Sequence, residues 1–234
     1  MSHISRSLVL SVIILLVAGA AIAQELQPIS LPAPDMQGGK PVMQAFAARA
    51  STREFASDEV PVQTLSNLLW AAWGINRPDA KRLGGGTGMR TAPSGMDWQE
   101  IDIYVVMSTG AYLYDASGNT LKPVASGDFR AMSGTQDYVA NAPISLVYVA
   151  DASRMVISPK LPKAMQNYLV AFRETCKYCD ATAIAENVYI FAASEGLATC
   201  IRALIDRPAL SKTLKLRKSQ TITLAQAVGL LKSQ

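Results

Sequence analysis

Apolar residues recur at helical spacing in three parts of the chain. Val42, Phe46 and Ala50 stand four apart, which predicts a helix over 42–50. In DEVPVQTLSNLLWAAWG, Leu65, Leu68, Leu69, Ala72 and Trp73 share one helical face, with Pro61 near the start and Gly74 where a glycine cap belongs. About four turns are expected there. A longer helical stretch is predicted over 164–197, interrupted around 176–180. Ile184, Val188, Phe191 and Ala192 form the stripe of its second half, and Glu195-Gly196 lie near its stop.

Other segments carry the pattern of strands. Ile101 to Met107 is a β-rich run, and 111–114 and 120–124 flank the turn Asp115-Ala116-Ser117-Gly118-Asn119, which reads as a hairpin. Ile144 to Ala150 is almost continuously apolar between Pro143 and Asp151, the pattern of a strand covered on both faces. Thr221 to Val228 is the last strand expected. Residues 24–41 mix Pro, Gly and polar positions without periodicity and read as an extended lead-in. Residues 75–88 read as a mobile loop. The run GGGTG at 84–88 follows no predicted strand and lacks the Lys-Ser/Thr of a phosphate loop. Helices around a central sheet of four or five strands make an α+β domain.

Composition narrows the classes. The 234 residues are 50% hydrophobic, enough for one sizeable core. The net charge of +4 is scattered rather than run together, which argues against a nucleic-acid partner. Residues 1–23 have the three parts of a secretory signal: Arg6 in a short basic region, an apolar run from Leu8, and Ala21-Ile22-Ala23 before Gln24. The expectation is therefore an exported, periplasmic protein whose mature chain begins near Gln24. His3, the one histidine, falls in that signal. Its loss removes Ser-His and Cys-His catalysis and leaves a zinc site poorly supported. Cys176 and Cys179 form a C-x-x-C, and Cys200 stands apart. The pair reads first as structural or incidental, then as a disulfide, and last as a redox couple.

Two segments carry candidate chemistry. In RASTREF, Arg49, Ser51 and Arg53 alternate, so an extended backbone would send all three side chains from one face. Guanidiniums and a hydroxyl suit a phosphate or another electron-rich oxygen group. A solvated helix end, with cations complementing the dipole, is the other reading. In RTAPSGMDWQE, the Pro-Ser-Gly turn can bring backbone N–H groups close to a ligand just before a strand. Taken alone, the segment reads first as an ordinary β-turn.

RxSxR, TAPSGxxxQE before a strand, AENVYIFAASEGLATCIR read as a helix, and the terminal ITLAQAVG occur in the order seen in the nitroreductase family. The chain resembles that family from about Gln44 onward, and within it the compact branch related to the azoline oxidases of peptide maturation. The resemblance implies a homodimer with a mostly antiparallel sheet and FMN in clefts at the subunit interface. It also implies NAD(P)H as a usual electron donor and ping-pong hydride transfer through flavin N5 to a small organic substrate. By position, Arg49, Ser51 and Arg53 are similar to the residues holding the ribityl, phosphate and pyrimidine side of the flavin. Pro93, Ser94 and Gly95 resemble the turn that the other subunit lays beside the ring. Asp97 stands where many members have asparagine, and Ala203 and Leu204 match the loop whose backbone approaches N5. Lys232 is the candidate for a phosphate clamp. An exported member needs a donor other than cytoplasmic NAD(P)H, and that donor is unknown. A non-catalytic periplasmic binding protein on the same dimer scaffold is the alternative.

Overall fold

The computed structural model describes residues 25–232; the expected signal, 1–23, lies outside them. Nine strands and four α-helices follow in chain order: β1 (Ile29–Ser30), α1 (Val42–Ala48), α2 (Val62–Trp73), β2 (Ile75–Lys81), β3 (Thr87–Arg90), β4 (Ile101–Met107), β5 (Gly110–Asp115), β6 (Thr120–Ser126), β7 (Ile144–Asp151), α3 (Lys163–Glu195), β8 (Leu197–Arg202), α4 (Arg207–Thr213) and β9 (Gln220–Leu230). Seven strands form one sheet in the order β1-β6-β5-β4-β7-β9-β8, with every neighbouring pair antiparallel.

The apolar run of β7 explains its position. All eight of its residues are buried, between β4 on one side and β9 on the other. Ile144, Leu146 and Tyr148 face a core shared with Leu65, Leu68 and Leu69 of α2 and Ile184 and Val188 of α3. Val147 and Val149 face the opposite core, closed by Leu210 of α4 and Leu214 just beyond it. The stripe predicted for α2 is the buried one, with Leu65, Leu68, Leu69, Ala72 and Trp73 all inside. The helix has 12 residues, so it makes about three turns rather than four. Gly74 ends it in an extended conformation. A Cβ there would lie 2.5 Å from the Trp70 carbonyl oxygen and its indole ring, so the chain can leave the helix this closely only at glycine.

Four further expectations are corrected. The sheet has seven strands instead of four or five, because β1 is too short and β8 too close behind a helix to stand out. The segment 75–88 is no simple loop: β2 and β3 pair as a separate antiparallel hairpin, whose first strand is exposed at most positions and so shows no alternation. Helix α3 runs unbroken for 33 residues. Cys176 and Asp180 point inward on the row continued by Ile184, Val188 and Ala192, so the polar letters there mark a buried contact and not a stop. Finally, α3 ends at Gly196, whose left-handed φ of 73° makes the cap. LATCIR, read as part of the helix, is therefore strand β8.

Candidate functional site

RASTREF leaves α1 at Arg49, which takes φ −57° and ψ 122°, and continues extended along the outer edge of β8. The Thr52 N–H donates to the Thr199 carbonyl (2.9 Å) and the Ala56 N–H to that of Leu230 (3.0 Å), while Phe55 bridges Leu231 antiparallel. Arg49 thus caps the end of α1, and the backbone beyond it is non-helical. The Arg49 guanidinium carbon sits 5.4 Å from the centre of the Tyr189 ring. Ser51 Oγ lies 2.8 Å from the Tyr189 hydroxyl, which also accepts the Ile201 N–H (3.0 Å). Arg49, Ser51 and Arg53 remain exposed. Among the described residues, neither arginine pairs with a carboxylate.

Ala203 and Leu204 follow β8 at the same edge. Buried groups pin both ends of this short loop. Arg202 donates from Nε to the Ser133 carbonyl (2.8 Å) and from Nη2 to Ser133 Oγ (2.8 Å) and Ser145 Oγ, and burial lowers its pKa. On the far side Ile205 is buried, and the Asp206 side chain accepts the Ala209 N–H (3.1 Å) to cap α4. Between these anchors the Leu204 side chain is 62% exposed, and its carbonyl accepts the Thr135 N–H (3.3 Å). Tyr138 stands beside the site, its ring 6.3 Å from that of Phe55 and its hydroxyl 3.7 Å from Cys200 Sγ. Burial and the Cys200 thiol push that hydroxyl's pKa up. Lys232 is exposed one residue past the Phe55–Leu231 bridge.

Pro93, Ser94, Gly95 and Asp97 form a second group. Three non-glycine residues of this turn, Met96, Asp97 and Gln99, have φ of 54°, 52° and 48°, a region such residues seldom occupy. Side chains hold it there. The Asp97 carboxylate accepts the Leu83 N–H (2.8 Å) and the Gln99 amide (2.9 Å) and lies 3.7 Å from Arg82 Nε. It therefore turns into the β2–β3 hairpin of its own chain. Arg90 Nε donates to Gln99 Oε1 (2.9 Å) and stacks 5.1 Å from the Trp73 ring centre. Ser94 Oγ accepts the Gln99 N–H (2.8 Å), and the Gly95 N–H reaches both Asp180 oxygens (2.9 and 3.1 Å). A Cβ on Gly95 would lie 2.4 Å from Cys176 Sγ.

Helix α3 carries both groups, through Asp180 and Tyr189. Nine residues separate these two, roughly 14 Å along the axis. Arg49, Ser51, Arg53, Ala203 and Leu204 are thus brought to one edge, and the Pro93–Asp97 turn is held apart from it. A cleft of about 620 Å³ lined by Ile29, Val60, Leu65, Met107, Arg130 and Ile144 opens elsewhere, and none of these candidate residues lines it.

All three cysteines are free, Cys176 and Cys200 buried and Cys179 exposed. Burial and the neighbouring Asp180 push the Cys176 thiol up to about 12, far from a reactive thiolate. Glu100, Cys176 and Asp180 each place one oxygen or sulfur within 4.8 Å of the others. Sequence reasoning missed Tyr189, Tyr138 and the Glu100–Asp180 contact. The four-residue row from Cys176 through Asp180 to Ile184 and Val188 was the available sign that Asp180 faces inward.

The model of the nitroreductase family matches residues 46–230. A solved structure from Ralstonia eutropha JMP134, described as a candidate nitroreductase, is 38% identical over 90% of this chain and 92% of its own, with a TM-score of 0.76. Nitroreductase A from Vibrio parahaemolyticus is 19% identical, covering 82% and 69% of the two chains with a TM-score of 0.56. A chain of the Escherichia coli microcin synthetase McbBCD complex is 17% identical over 90% and 80%, with a TM-score of 0.63. The latter two share the fold. No curated protein matches.

Proposed function

Because the chain belongs to the nitroreductase family of oxidoreductases, we propose that it is an exported FMN-dependent oxidoreductase working as a homodimer on a small organic substrate. The observation that carries this reading is the placement of Arg49, Ser51 and Arg53 beside β8, the strand that leads into the Ala203–Leu204 loop. That donor set suits FMN, which has an anionic phosphate, a polar chain and a flat apolar ring. When bound, FMN would supply ping-pong hydride transfer at its N5 atom.

The residues of the chain bind and orient. Arg49 and Arg53 offer charge-assisted donors to the phosphate and the pyrimidine oxygens, with Ser51 as a hydroxyl partner. Tyr189 sets the direction of Ser51, and Lys232 adds a cation from the neighbouring edge. Ala203 and Leu204 would face the ring with their backbone, and the exposed Leu204 side chain would exclude water from it. The separation of the Pro93–Gly95 turn from this edge within one chain suits its use by the partner subunit. Asp97, bound to Leu83, Gln99 and Arg82, shapes that turn and keeps its charge turned into the protein. No residue needs to act as a histidine would. The electron donor is a partner outside this chain, NAD(P)H being available only if the protein meets it.

An absorption spectrum of the chain from Gln24, taken after FMN addition and removal of excess, tests the reading. Retained flavin in the wild type that is lost in the R49A/R53A double variant supports it. A folded, dimeric wild type that stays colourless would favour a binding protein on this scaffold.

A further inference from the structure

Beneath the Pro93–Ser94–Gly95 turn lie two buried carboxyl groups to which the chemistry above assigns no part. Glu100 is 0% exposed and Asp180 6%. Ser94 Oγ is 3.4 Å from Glu100 Oε2, and the Gly95 N–H donates to Asp180. Each carboxyl therefore holds one residue of the turn. One oxygen of each and the Cys176 sulfur lie within 4.8 Å of one another, and among the described residues Glu100 Oε1 has no hydrogen-bond partner.

The surrounding charges do not neutralise the pair. Arg154 Nη2 donates to the Glu100 main-chain carbonyl (2.7 Å), but its ion pair is with Asp102 (2.8 Å). Within the turn Asp97 is engaged with Arg82, and Arg90 with Gln99. From α3 the third neighbour is the Cys176 thiol, 3.8 Å from Asp180 Oδ1. Arg154 partly offsets the charge on Glu100, but among the described residues no cation is ion-paired to either carboxyl. Two ionised carboxylates this close repel in a dry interior. A single proton between them removes the repulsion and gives the orphaned Glu100 oxygen a hydrogen-bonding task.

We propose that Glu100 and Asp180 share one proton and that this proton positions the Pro93–Ser94–Gly95 turn, making cofactor binding at the composite site sensitive to pH. The cofactor part rests on the flavin reading; the shared proton does not. Burial first, and Asp180 second, push Glu100 up to about 7, so Glu100 holds its proton up to about neutrality. When the proton leaves, the two carboxylates separate. Ser94 and Gly95, each tied to one of them, then lose their common frame.

Infrared spectra of the full chain, recorded from about pH 5 to about pH 9 to span the carboxyl range and beyond, test the proton directly. The wild type should show a buried protonated-carboxyl band that vanishes as pH passes through about 7. Glu100→Gln should lack the band, because its amide donates to Asp180 without titrating. Over the same interval the wild-type dissociation constant for FMN should rise about tenfold, the scale of a modest coupling between sites. Glu100→Gln should keep the low-pH affinity throughout, and Glu100→Ala should bind weakly at every pH. A Glu100→Gln variant that titrates like the wild type, or a wild type without the band, overturns the proposal. So does a stoichiometric metal ion found by elemental analysis. A wild type that shows the band but binds no FMN removes the flavin reading and its pH coupling while leaving the shared proton in place.

Discussion

The hydroxyl of Tyr189 lies 2.8 Å from Ser51 Oγ and accepts the Ile201 N–H at 3.0 Å, so one side chain of α3 ties the arginine-bearing segment to strand β8. Removing the hydroxyl leaves the Ile201 N–H without its partner. An unsatisfied group of that kind costs about 1–3 kcal/mol when buried, and Ile201 is half-buried, so the lower part of that range applies. Tyr189→Phe should cost roughly 1 kcal/mol of stability, read as a lower urea midpoint, and weaken FMN binding. Ser51→Ala should weaken binding with a smaller loss of stability.

Asp97 combines a left-handed φ of 52° with two acceptor bonds, to Leu83 N–H and the Gln99 amide. Asparagine tolerates that backbone region well and keeps an acceptor oxygen. Asp97→Asn should therefore be destabilised by less than Asp97→Ala, which loses backbone preference and acceptor together at about 2–4 kcal/mol. Hydrogen exchange should show faster opening of β2 and β3 in the alanine variant. Equal losses in the two variants would mean that the carboxylate charge, and not its geometry, holds the turn.

Glu100 gives stability a pH dependence of definite sign. Its folded pKa is raised from 4.5 to about 7, so the folded state binds more protons than the unfolded between those values. Stability then falls as pH rises through that window, and the loss is complete above about pH 7. The size is up to about 3 kcal/mol from a shift of this extent. Chemical denaturation at several pH values should show this decline in the wild type and a smaller one in Glu100→Gln.

Gly196 ends α3 with φ 73°, and a Cβ there would meet nothing within 4 Å. The penalty for Gly196→Ala is then one of backbone conformation alone, about 1 kcal/mol. Thermal denaturation should show that modest loss, with FMN binding unchanged.

How legible the fold was in the sequence depended on the contrast between faces. The stripe of α2, the apolar run of β7 and the β5–β6 hairpin around Asp115–Asn119 were readable because each buries a definite set of side chains. The β2–β3 hairpin was not, since Asn76, Arg77, Pro78 and Asp79 are all exposed and leave no period. The unbroken course of α3 was hidden because Cys176 and Asp180 are polar residues doing a core position's work. The alternation of Arg49, Ser51 and Arg53 foretold a non-helical course, and Arg49 and Ser51 both meet Tyr189. The placement of Ala203 and Leu204 beside it came from family resemblance. Tyr189 and the Glu100–Asp180 contact depend on pairings more than 75 residues apart, which no local pattern encodes.

The strand-like course of RASTREF also bears on solubility. An unpaired sheet edge invites another chain to add to it, and at the far end β1 is only two residues long, with Pro32 and Pro34 close behind. At the near end the Thr52 N–H occupies the Thr199 carbonyl, so the segment that presents Arg49 and Arg53 is also the guard of the sheet. A chain in which this segment detaches bares a strand edge as it carries Arg49 and Arg53 away. Self-association and, on the flavin reading, loss of FMN should therefore appear together.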